Sequence, residues 1–179
     1  IQQSITEIKQ MGEMAKKISK VDNKELLDIL NVAYAEEWLA YYQYWIGARV
    51  VSGPMSLSIA DEFKKHAKEE HEHAELLAIR IVQLGGTPLL HPSDWEKYAQ
   101  CKYEAPDNEY VENVVKQNLA SERCAIDRYQ KICEMTFGKD FETFRVAKHI
   151  LEQELDHEQD MEDYLADFDA ARKNLADML

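Results

Sequence analysis

Two short motifs inside long helical patterns constrain the fold of this 179-residue chain more than any other feature. Glu70 is followed three residues later by His73, and Glu154 is followed in the same way by His157. On an α-helix, residues three apart lie on the same face, one turn from each other. Each pair can therefore hold a cation from one side, although a single Glu-x-x-His on a solvated helix is an ordinary surface feature.

Both pairs interrupt helical faces that are otherwise apolar. The residues that share a face with His157 at helical spacing are Ala147, Ile150, Met161, Tyr164, Leu165 and Phe168. Those that share a face with His73 are Phe63, Ala67, Ala74, Leu77, Ile81 and Leu84. A buried carboxylate without a partner is costly, so glutamates on core-facing stripes require something cationic beside them.

Two further glutamates interrupt apolar stripes in the same way. Glu37 does so in a predicted helix over about 24–50, and Glu122 in a predicted helix over about 109–137. An alanine follows each of them three residues later, where the two motifs have histidine. The chain thus repeats the same order twice, a helix with one glutamate and then a helix with Glu-x-x-His.

The scarcity of chain-breaking residues predicts an all-α fold. Only six glycines and four prolines are present, and strand-like alternation is rare. Long helices are predicted at about 24–50, 55–84, 109–137 and from 141 into the 170s. The connection over 87–108 is too long for a hairpin, and the capping-box spacing of Ser93 and Glu96 predicts a short helix over about 94–102. We therefore expect one domain over residues 1–179, a four-helix bundle with a long crossover, with 1–20 as a peripheral helix or arm.

Charge and cysteine content restrict partners and location. The formal net charge of −13 argues against a nucleic-acid partner, because phosphates require a basic face. Dispersed lysines in the N-terminal arm leave DNA association open as an alternative. Three cysteines do not form the framework of a small secreted domain, and no apolar run reaches membrane-spanning length. We therefore expect a cytoplasmic protein that has no membrane partner.

The four helices together supply four glutamates and two histidines to one core. This set matches the di-iron or di-manganese carboxylate bundle, because two divalent ions balance four carboxylates and two neutral imidazoles complete the coordination. Ligands rich in oxygen and without thiolate favour iron, with manganese as an alternative, over structural zinc. The predicted assignment is Glu37 and His73 on one metal, Glu122 and His157 on the other, and Glu70 and Glu154 as bridges.

Two other side chains share these faces. Tyr44 lies seven residues after Glu37, two turns along the helix, and is predicted either to lie near the metals or simply to pack in the core. His66 lies one turn before Glu70 and is interpreted as a core or ligand-supporting histidine, not as a seventh ligand.

The order of these residues resembles the bacterioferritin branch of the ferritin-like superfamily. The motifs that carry the resemblance are Glu37, Glu70-x-x-His73, Glu122 and Glu154-x-x-His157, and they cover nearly everything from the first to the last long helix. Haem-carrying bacterioferritins have methionine directly after the second-helix glutamate, whereas this chain has His71, so haem is not expected. The long crossover with its short helix resembles Dps proteins, which form twelve-subunit cages. Dps-like proteins called thioferritins combine both traits and carry a pair of cysteines near the metals, which Cys101 and Cys124 resemble.

The resemblance implies a ferroxidase with two irons in each subunit, which oxidises Fe(II) with hydrogen peroxide or dioxygen. It implies a homo-oligomeric cage of twelve subunits that stores Fe(III), and a role in iron storage and oxidative-stress protection. It also implies that Cys101 and Cys124 form a redox pair, whereas the residues alone favour two unrelated thiols. Alternatives are a rubrerythrin-like di-iron peroxidase or manganese catalase without mineral storage, and a non-enzymatic, DNA-associating helical bundle.

Overall fold

The structure, a computed structural model, describes residues 12–178 of the chain. It contains the helices α1 (Glu13–Ile18), α2 (Asn23–Val50), α3 (Ser56–Gln83), α4 (Pro92–Tyr98), α5 (Val111–Thr136) and α6 (Phe141–Asp177). No strand occurs within these residues, so the predicted all-α class is confirmed.

The four long helices form a bundle of two hairpins. Helix α2 packs along α3, and α5 packs along α6. The start of α5 lies beside the end of α2, because the Ser52 amide donates to the Glu109 carbonyl at 2.8 Å and the Val111 amide donates to the Ser52 carbonyl at 2.9 Å. The connection from α3 to α5 therefore runs the length of the bundle, which confirms the predicted long crossover.

Local sequence signals set the helix ends. Asp22 caps α2 by accepting from the Glu25 amide at 2.9 Å, and Asp140 caps α6 by accepting from the Thr143 amide at 2.9 Å. Helix α3 ends where Gly85 adopts a φ of 72°, a left-handed conformation that costs glycine little. Helix α6 continues without a break to Asp177, so the tail after His157 is part of the fourth long helix.

The short crossover helix begins and ends earlier than predicted. The expected range was 94–102, whereas α4 spans Pro92–Tyr98. Pro92 begins the helix because its fixed φ suits the first helical turn, where an amide hydrogen is not needed. Trp95 of α4 stacks on Trp38 of α2 with ring centroids 4.9 Å apart, and this contact fixes the crossover against the bundle.

The N-terminal prediction falls partly outside the described residues, because it concerns 1–20 and the structure describes the chain from residue 12. Helix α1 lies in the described part, and none of its residues is buried there. Among residues 12–178, no helix is long and apolar enough to cross a membrane.

The apolar core consists of two clusters separated along the bundle. One contains Leu26, Leu30, Leu77, Ile81, Ile132 and Ile150, together with their neighbours. The other contains Tyr44, Ile59, Phe63, Val115, Met161 and Phe168, together with theirs. Between the clusters, the inward positions of the four long helices are occupied by glutamates and histidines.

Candidate metal centre

Four helices bring six acidic and imidazole side chains into the gap between the two apolar clusters. None of the six is more than 2% exposed. Every residue that the sequence predicted as a ligand lies in this gap. They are Glu37 on α2, Glu70 and His73 on α3, Glu122 on α5, and Glu154 and His157 on α6.

The side chains form two overlapping groups, within each of which the candidate ligand atoms lie within 4.8 Å of one another. The first group is Glu37, Glu70, His73 and Glu154, and the second is Glu70, Glu122, Glu154 and His157. Because Glu70 and Glu154 belong to both groups, the arrangement has the connectivity of two cations bridged by two carboxylates.

His73 is held in an orientation that suits a cation. Its Nε2 lies 3.1 Å from Oε1 of Gln153, which accepts a hydrogen bond from the tautomer that carries its hydrogen on Nε2. Its Nδ1 lies 3.2 Å from Glu37 Oε2, 3.3 Å from Glu70 Oε2 and 3.2 Å from Glu154 Oε1. In this tautomer the Nδ1 lone pair faces three carboxylates, an arrangement that a bound cation stabilises.

His157 repeats this arrangement at the other group. Its Nε2 lies 2.9 Å from Oε2 of Glu69, and its Nδ1 lies 3.2 Å from Glu70 Oε1. The same Nδ1 is 3.3 Å from Glu154 Oε2 and 3.7 Å from Glu122 Oε2. Both imidazoles therefore turn one nitrogen toward a supporting acceptor and the other toward three carboxylates.

Several buried atoms of this centre lack hydrogen-bond partners within the part of the chain that the structure describes. They are Oε1 of Glu70, both carboxylate oxygens of Glu154 and Nδ1 of His157. Orphaned polar atoms in a protein interior are expensive unless an ion or water satisfies them. Two imidazolium ions would neutralise only half of the four carboxylates, whereas two divalent cations would balance all four. The residues thus fit a pair of divalent cations.

The pKa values of these groups follow from the shortage of donors. Burial and the nearby Glu70 raise the pKa of Glu37 well above its usual range, and burial and Glu154 do the same for Glu122. Burial also opposes ionisation of Glu70, but the nearby imidazoles of His157 and His73 lower its pKa well below the usual range. Without cations, protons must occupy part of the cluster, and binding of a divalent ion displaces them.

Each of the two outer glutamates accepts a hydrogen bond from a tyrosine of the other hairpin. The Tyr44 hydroxyl donates to Glu122, and the Tyr129 hydroxyl donates to Glu37. Burial, followed by repulsion from the nearby glutamate, raises the pKa of both phenols well above its usual value, so both remain donors. Tyr129 is not among the residues that the sequence predicted for the site. Its position seven residues after Glu122 repeats the spacing of Tyr44 after Glu37, and this signal could have identified it.

Cys101 and Cys124 form a disulfide, with Cα atoms 5.8 Å apart, that ties the crossover to α5. The alternative of two unrelated thiols is therefore wrong. Cys101 also lines a narrow cavity together with Glu37, Glu122 and Tyr129. Cys101 and Cys124 also line a surface pocket of about 480 Å³. Cys101 thus borders both the carboxylate cluster and a pocket that is open to solvent.

Glu36 is a buried carboxylate that the sequence did not indicate as part of the site. Its oxygens accept from Arg128 Nε at 2.9 Å and Nη2 at 3.1 Å. They also accept from the backbone amides of Gln100 at 2.8 Å and Cys101 at 3.0 Å. These four bonds fix the disulfide-bearing loop beside the cluster. Their pairing depends on the path of the crossover, which helical periodicity does not report.

Comparison with known proteins agrees with this geometry. Residues 27–171 match the ferritin-like domain family. The DNA protection during starvation protein of Pyrococcus furiosus is 34% identical over 146 residues, which cover 81% of this chain and 79% of that protein. The solved structure of a dodecameric, bacterioferritin-related thioferritin from Bacteroides fragilis is 49% identical with a TM-score of 0.89, covering 90% of this chain and 98% of that one. A ferritin-like di-iron carboxylate protein from Bacillus anthracis is 27% identical with a TM-score of 0.71, covering 80% and 97%. These matches confirm the resemblance, and the chain therefore belongs to the ferritin-like family.

Proposed function

We propose that this protein is a ferroxidase that oxidises Fe(II) with hydrogen peroxide or dioxygen at a two-iron site within each subunit and stores Fe(III) in a cage. The observation that carries the proposal is the shared orientation of His73 and His157. Each has Nε2 beside an acceptor and Nδ1 facing three buried carboxylates. Oxygen-rich ligands of this kind suit iron, with manganese as the alternative.

Two irons in one pocket would supply two electrons together, so that one peroxide takes up two protons and becomes two waters without release of hydroxyl radical. The protein's part is to hold the ligands and exclude solvent. Glu70 and Glu154 would bridge the metals, while Glu37 and Glu122 would each bind one. Hydrogen bonds from Tyr129 and Tyr44 orient these two outer carboxylates, and the apolar clusters close the centre on both sides.

We also propose that Cys101 and Cys124 act as a redox pair for the two-iron site. Oxidation of the Cys101 and Cys124 thiols to the disulfide releases two electrons and two protons, which is the number of electrons that returns two Fe(III) to Fe(II). The cavity that Cys101 shares with Glu37 and Glu122 supports such an exchange. In a cytoplasmic location, which we also propose, cellular thiols would reduce the disulfide again.

Assembly into a homo-oligomeric cage of twelve subunits is supported by the 49% identity to the dodecameric thioferritin. The net charge of −13 suits an interior that attracts iron cations. The name of the Pyrococcus relative refers to DNA protection. In this chain the negative net charge disfavours direct contact with DNA, so protection would come from the removal of Fe(II) and peroxide. We therefore propose iron storage and oxidative-stress protection as the physiological role.

The test is an anaerobic Fe(II) titration followed by one addition of peroxide, with ferric absorbance and particle mass recorded together. We expect a fast oxidation phase that accounts for two irons per chain, and then uptake of many more irons into a large particle. A Glu70→Gln/Glu154→Gln variant should lose the fast phase, whereas the exposed Asp61→Asn control should keep it.

Other outcomes would identify the alternatives. Fast turnover without further iron uptake would indicate a di-iron peroxidase, and peroxide disproportionation that requires manganese would indicate a manganese catalase. Equal oxidation rates in the native protein and the Glu70→Gln/Glu154→Gln variant would overturn the proposal.

A further inference from the structure

His66 has no assigned role in the proposed two-iron centre, yet its surroundings are built from ligand-type groups. The residue is completely buried, one turn before Glu70 on α3. Its Nε2 lies 3.2 Å from Asp160 Oδ2 on α6 and 3.3 Å from Glu62 Oε1 on α3. Two carboxylates from two helices therefore converge on one imidazole nitrogen.

These three residues have the geometry of a small cation site. Their candidate ligand atoms lie within 4.8 Å of one another. The side chains of Glu62 and Asp160 are 27% and 39% exposed, whereas the His66 ring is inaccessible, so the set is open to solvent on one side. One nitrogen and two oxygens on one face, with room for water opposite, suit a divalent cation such as Fe(II), Mn(II) or Co(II).

Packing, and not a second hydrogen bond, fixes the orientation of the His66 ring. In the described part of the chain, Nδ1 of this buried ring has no hydrogen-bond partner, whereas the far nitrogens of His73 and His157 both contact an acceptor. The ring is instead stacked on His157, with centroids 4.0 Å apart.

A continuous series of ligand-type atoms connects this set to the proposed two-iron centre. A nitrogen of His66 lies within 4.8 Å of ligand atoms of both Glu69 and His157. Glu69 in turn contacts His157, whose other nitrogen faces the buried carboxylates. A cation at His66 would therefore lie next to the two-iron centre and also next to solvent.

Lys65 provides the competing charge. Its ammonium lies 2.9 Å from Glu62 Oε1, and its side chain is mostly exposed. An exposed ammonium contributes little binding energy and can move away without cost to the core. A divalent cation can thus replace it at the Glu62 oxygen.

We propose that Glu62, His66 and Asp160 form a third cation site, which binds a divalent ion between α3 and α6 at the solvent end of this series. Its role as a staging site for Fe(II) on the way into or out of the two-iron centre rests on the proposed function. The binding of a cation there does not.

Co(II), which peroxide-free buffer leaves in the divalent state, is the probe for the site. Bound metal is counted by equilibrium dialysis of the full-length assembled protein, and its position is read from anomalous scattering of Co(II)-soaked crystals. A Glu62→Gln/Asp160→Asn variant is compared with an Asp61→Asn/Asp163→Asn control, which removes the same charge from exposed positions of the same two helices. We expect three Co(II) per chain in the native protein and the control, and two in the Glu62→Gln/Asp160→Asn variant.

A Glu37→Gln/Glu122→Gln variant separates this inference from the proposed function. It should retain one Co(II), with its anomalous peak among Glu62, His66 and Asp160. If the native protein binds one Co(II) that only the Glu62→Gln/Asp160→Asn change removes, the third site stands and the two-iron centre fails. If the native protein binds two, and Glu62→Gln/Asp160→Asn removes neither, the third site is overturned and the two-iron centre stands.

The staging role has its own readout. In the Glu62→Gln/Asp160→Asn variant, the initial rate of Fe(II) oxidation should fall severalfold at low Fe(II) and recover at saturating Fe(II), because entry and not chemistry is impaired. Loss of the third Co(II) with an unchanged oxidation rate at every Fe(II) concentration would overturn the staging role.

Discussion

Glu36 and Glu37 are consecutive residues of α2, and both carboxylates are buried, yet their surroundings differ completely. Glu36 accepts four hydrogen bonds, two from the Arg128 guanidinium and two from backbone amides. Glu37 meets one tyrosine hydroxyl, one imidazole that it shares with two other carboxylates, and no guanidinium or ammonium group among the described residues. Donors within the protein compensate the negative charge of Glu36, whereas the charge of Glu37 is left for a bound ligand to compensate.

The same contrast recurs on α3. Arg80 donates to both oxygens of Asp140 at 2.9 and 2.8 Å and to Thr143 at 2.7 Å, so this buried ion pair is complete. Ten residues earlier on the same helix, Glu70 has an oxygen without any hydrogen bond in the described chain. Burial of charge is therefore common to structural and proposed metal-binding residues, and the lack of protein donors distinguishes the second kind.

The largest effect on activity is expected at the buried carboxylates that lack protein donors. Replacement of both bridging glutamates, Glu70→Gln/Glu154→Gln, should lower the rate of Fe(II) oxidation by about 100-fold or more, because each bridge contributes to both metals. Stopped-flow ferric absorbance after peroxide addition measures the rate. The metal-free variant should still unfold in a cooperative thermal transition, because both apolar clusters of the core are unchanged. A variant that is inactive only because it is unfolded would contradict this separation.

Glu36 and Glu37 should respond in opposite directions to the same substitution. Glu36→Gln leaves the Arg128 guanidinium buried without its counter-charge and should lower the free energy of unfolding by about 3–5 kcal/mol. Glu37→Gln should leave the metal-free protein as stable as before or more stable, and should reduce the stabilisation that added divalent metal gives the native protein. Urea unfolding of both variants, with and without Co(II), measures these effects. Equal destabilisation by the two substitutions in metal-free protein would contradict the comparison.

The disulfide and Glu36 both anchor the loop that contains Cys101. The two half-cystines are 23 residues apart, and a crosslink of that span stabilises a chain by about 3 kcal/mol in the chain-entropy estimate. The Cys101→Ser/Cys124→Ser protein should lose about this much free energy of unfolding. Glu36 accepts a hydrogen bond from the Cys101 amide. Glu36→Gln should therefore lower the free energy of unfolding by different amounts in the native protein and in the Cys101→Ser/Cys124→Ser protein. A double-mutant cycle measures this difference. Strict additivity would show that the two anchors act independently.

Asp140 should give an effect of similar size, with a defined pH dependence. Burial opposes its ionisation, but hydrogen bonds from Thr143 and the contact with Arg80 outweigh this and lower its pKa. A lowered pKa in the folded state stabilises the protein above the ordinary aspartate pKa of about 3.9 and ceases to do so as pH falls through the folded value. Asp140→Asn should therefore cost about 3 kcal/mol at neutral pH, because it leaves the buried Arg80 guanidinium without its counter-charge, although asparagine can still cap α6.

The pH series provides the check on Asp140. The difference in urea midpoint between the native protein and Asp140→Asn should be constant from pH 7 to about pH 5 and shrink below about pH 4. A difference that grows as the pH falls would contradict the assignment of a lowered pKa to this carboxyl group.

The sequence predicted those features that depend on helical periodicity. The positions of Glu37, Glu70 and Glu154 on apolar stripes follow from spacing along single helices, so four helices and a shared core were enough to bring them together. Tyr129 carried the same kind of signal, in its repeat of the Tyr44 spacing, but a tyrosine on an apolar stripe is equally compatible with simple packing.

Features that depend on the crossover could not be predicted in this way. The Glu36 partners lie on α5 and in the loop before Cys101, and no local pattern specifies how that loop crosses the bundle. The sequence offered two possible starts for α4, with Ser93 as a cap or with Pro92 as the first helical residue. In the structure the helix starts at Pro92. The disulfide followed only from a family resemblance, because two cysteines at this separation do not by themselves indicate contact.

Mössbauer spectroscopy of ⁵⁷Fe tests most directly whether the four buried glutamates hold a two-metal centre. The native protein would be loaded anaerobically with two Fe(II) per chain, oxidised once with peroxide and compared with the Glu70→Gln/Glu154→Gln variant. Bridging by Glu70 and Glu154 predicts magnetically coupled pairs of ferric ions in the native protein and their absence from the variant. Isolated, uncoupled ferric ions in the native protein would contradict a two-iron centre at this position.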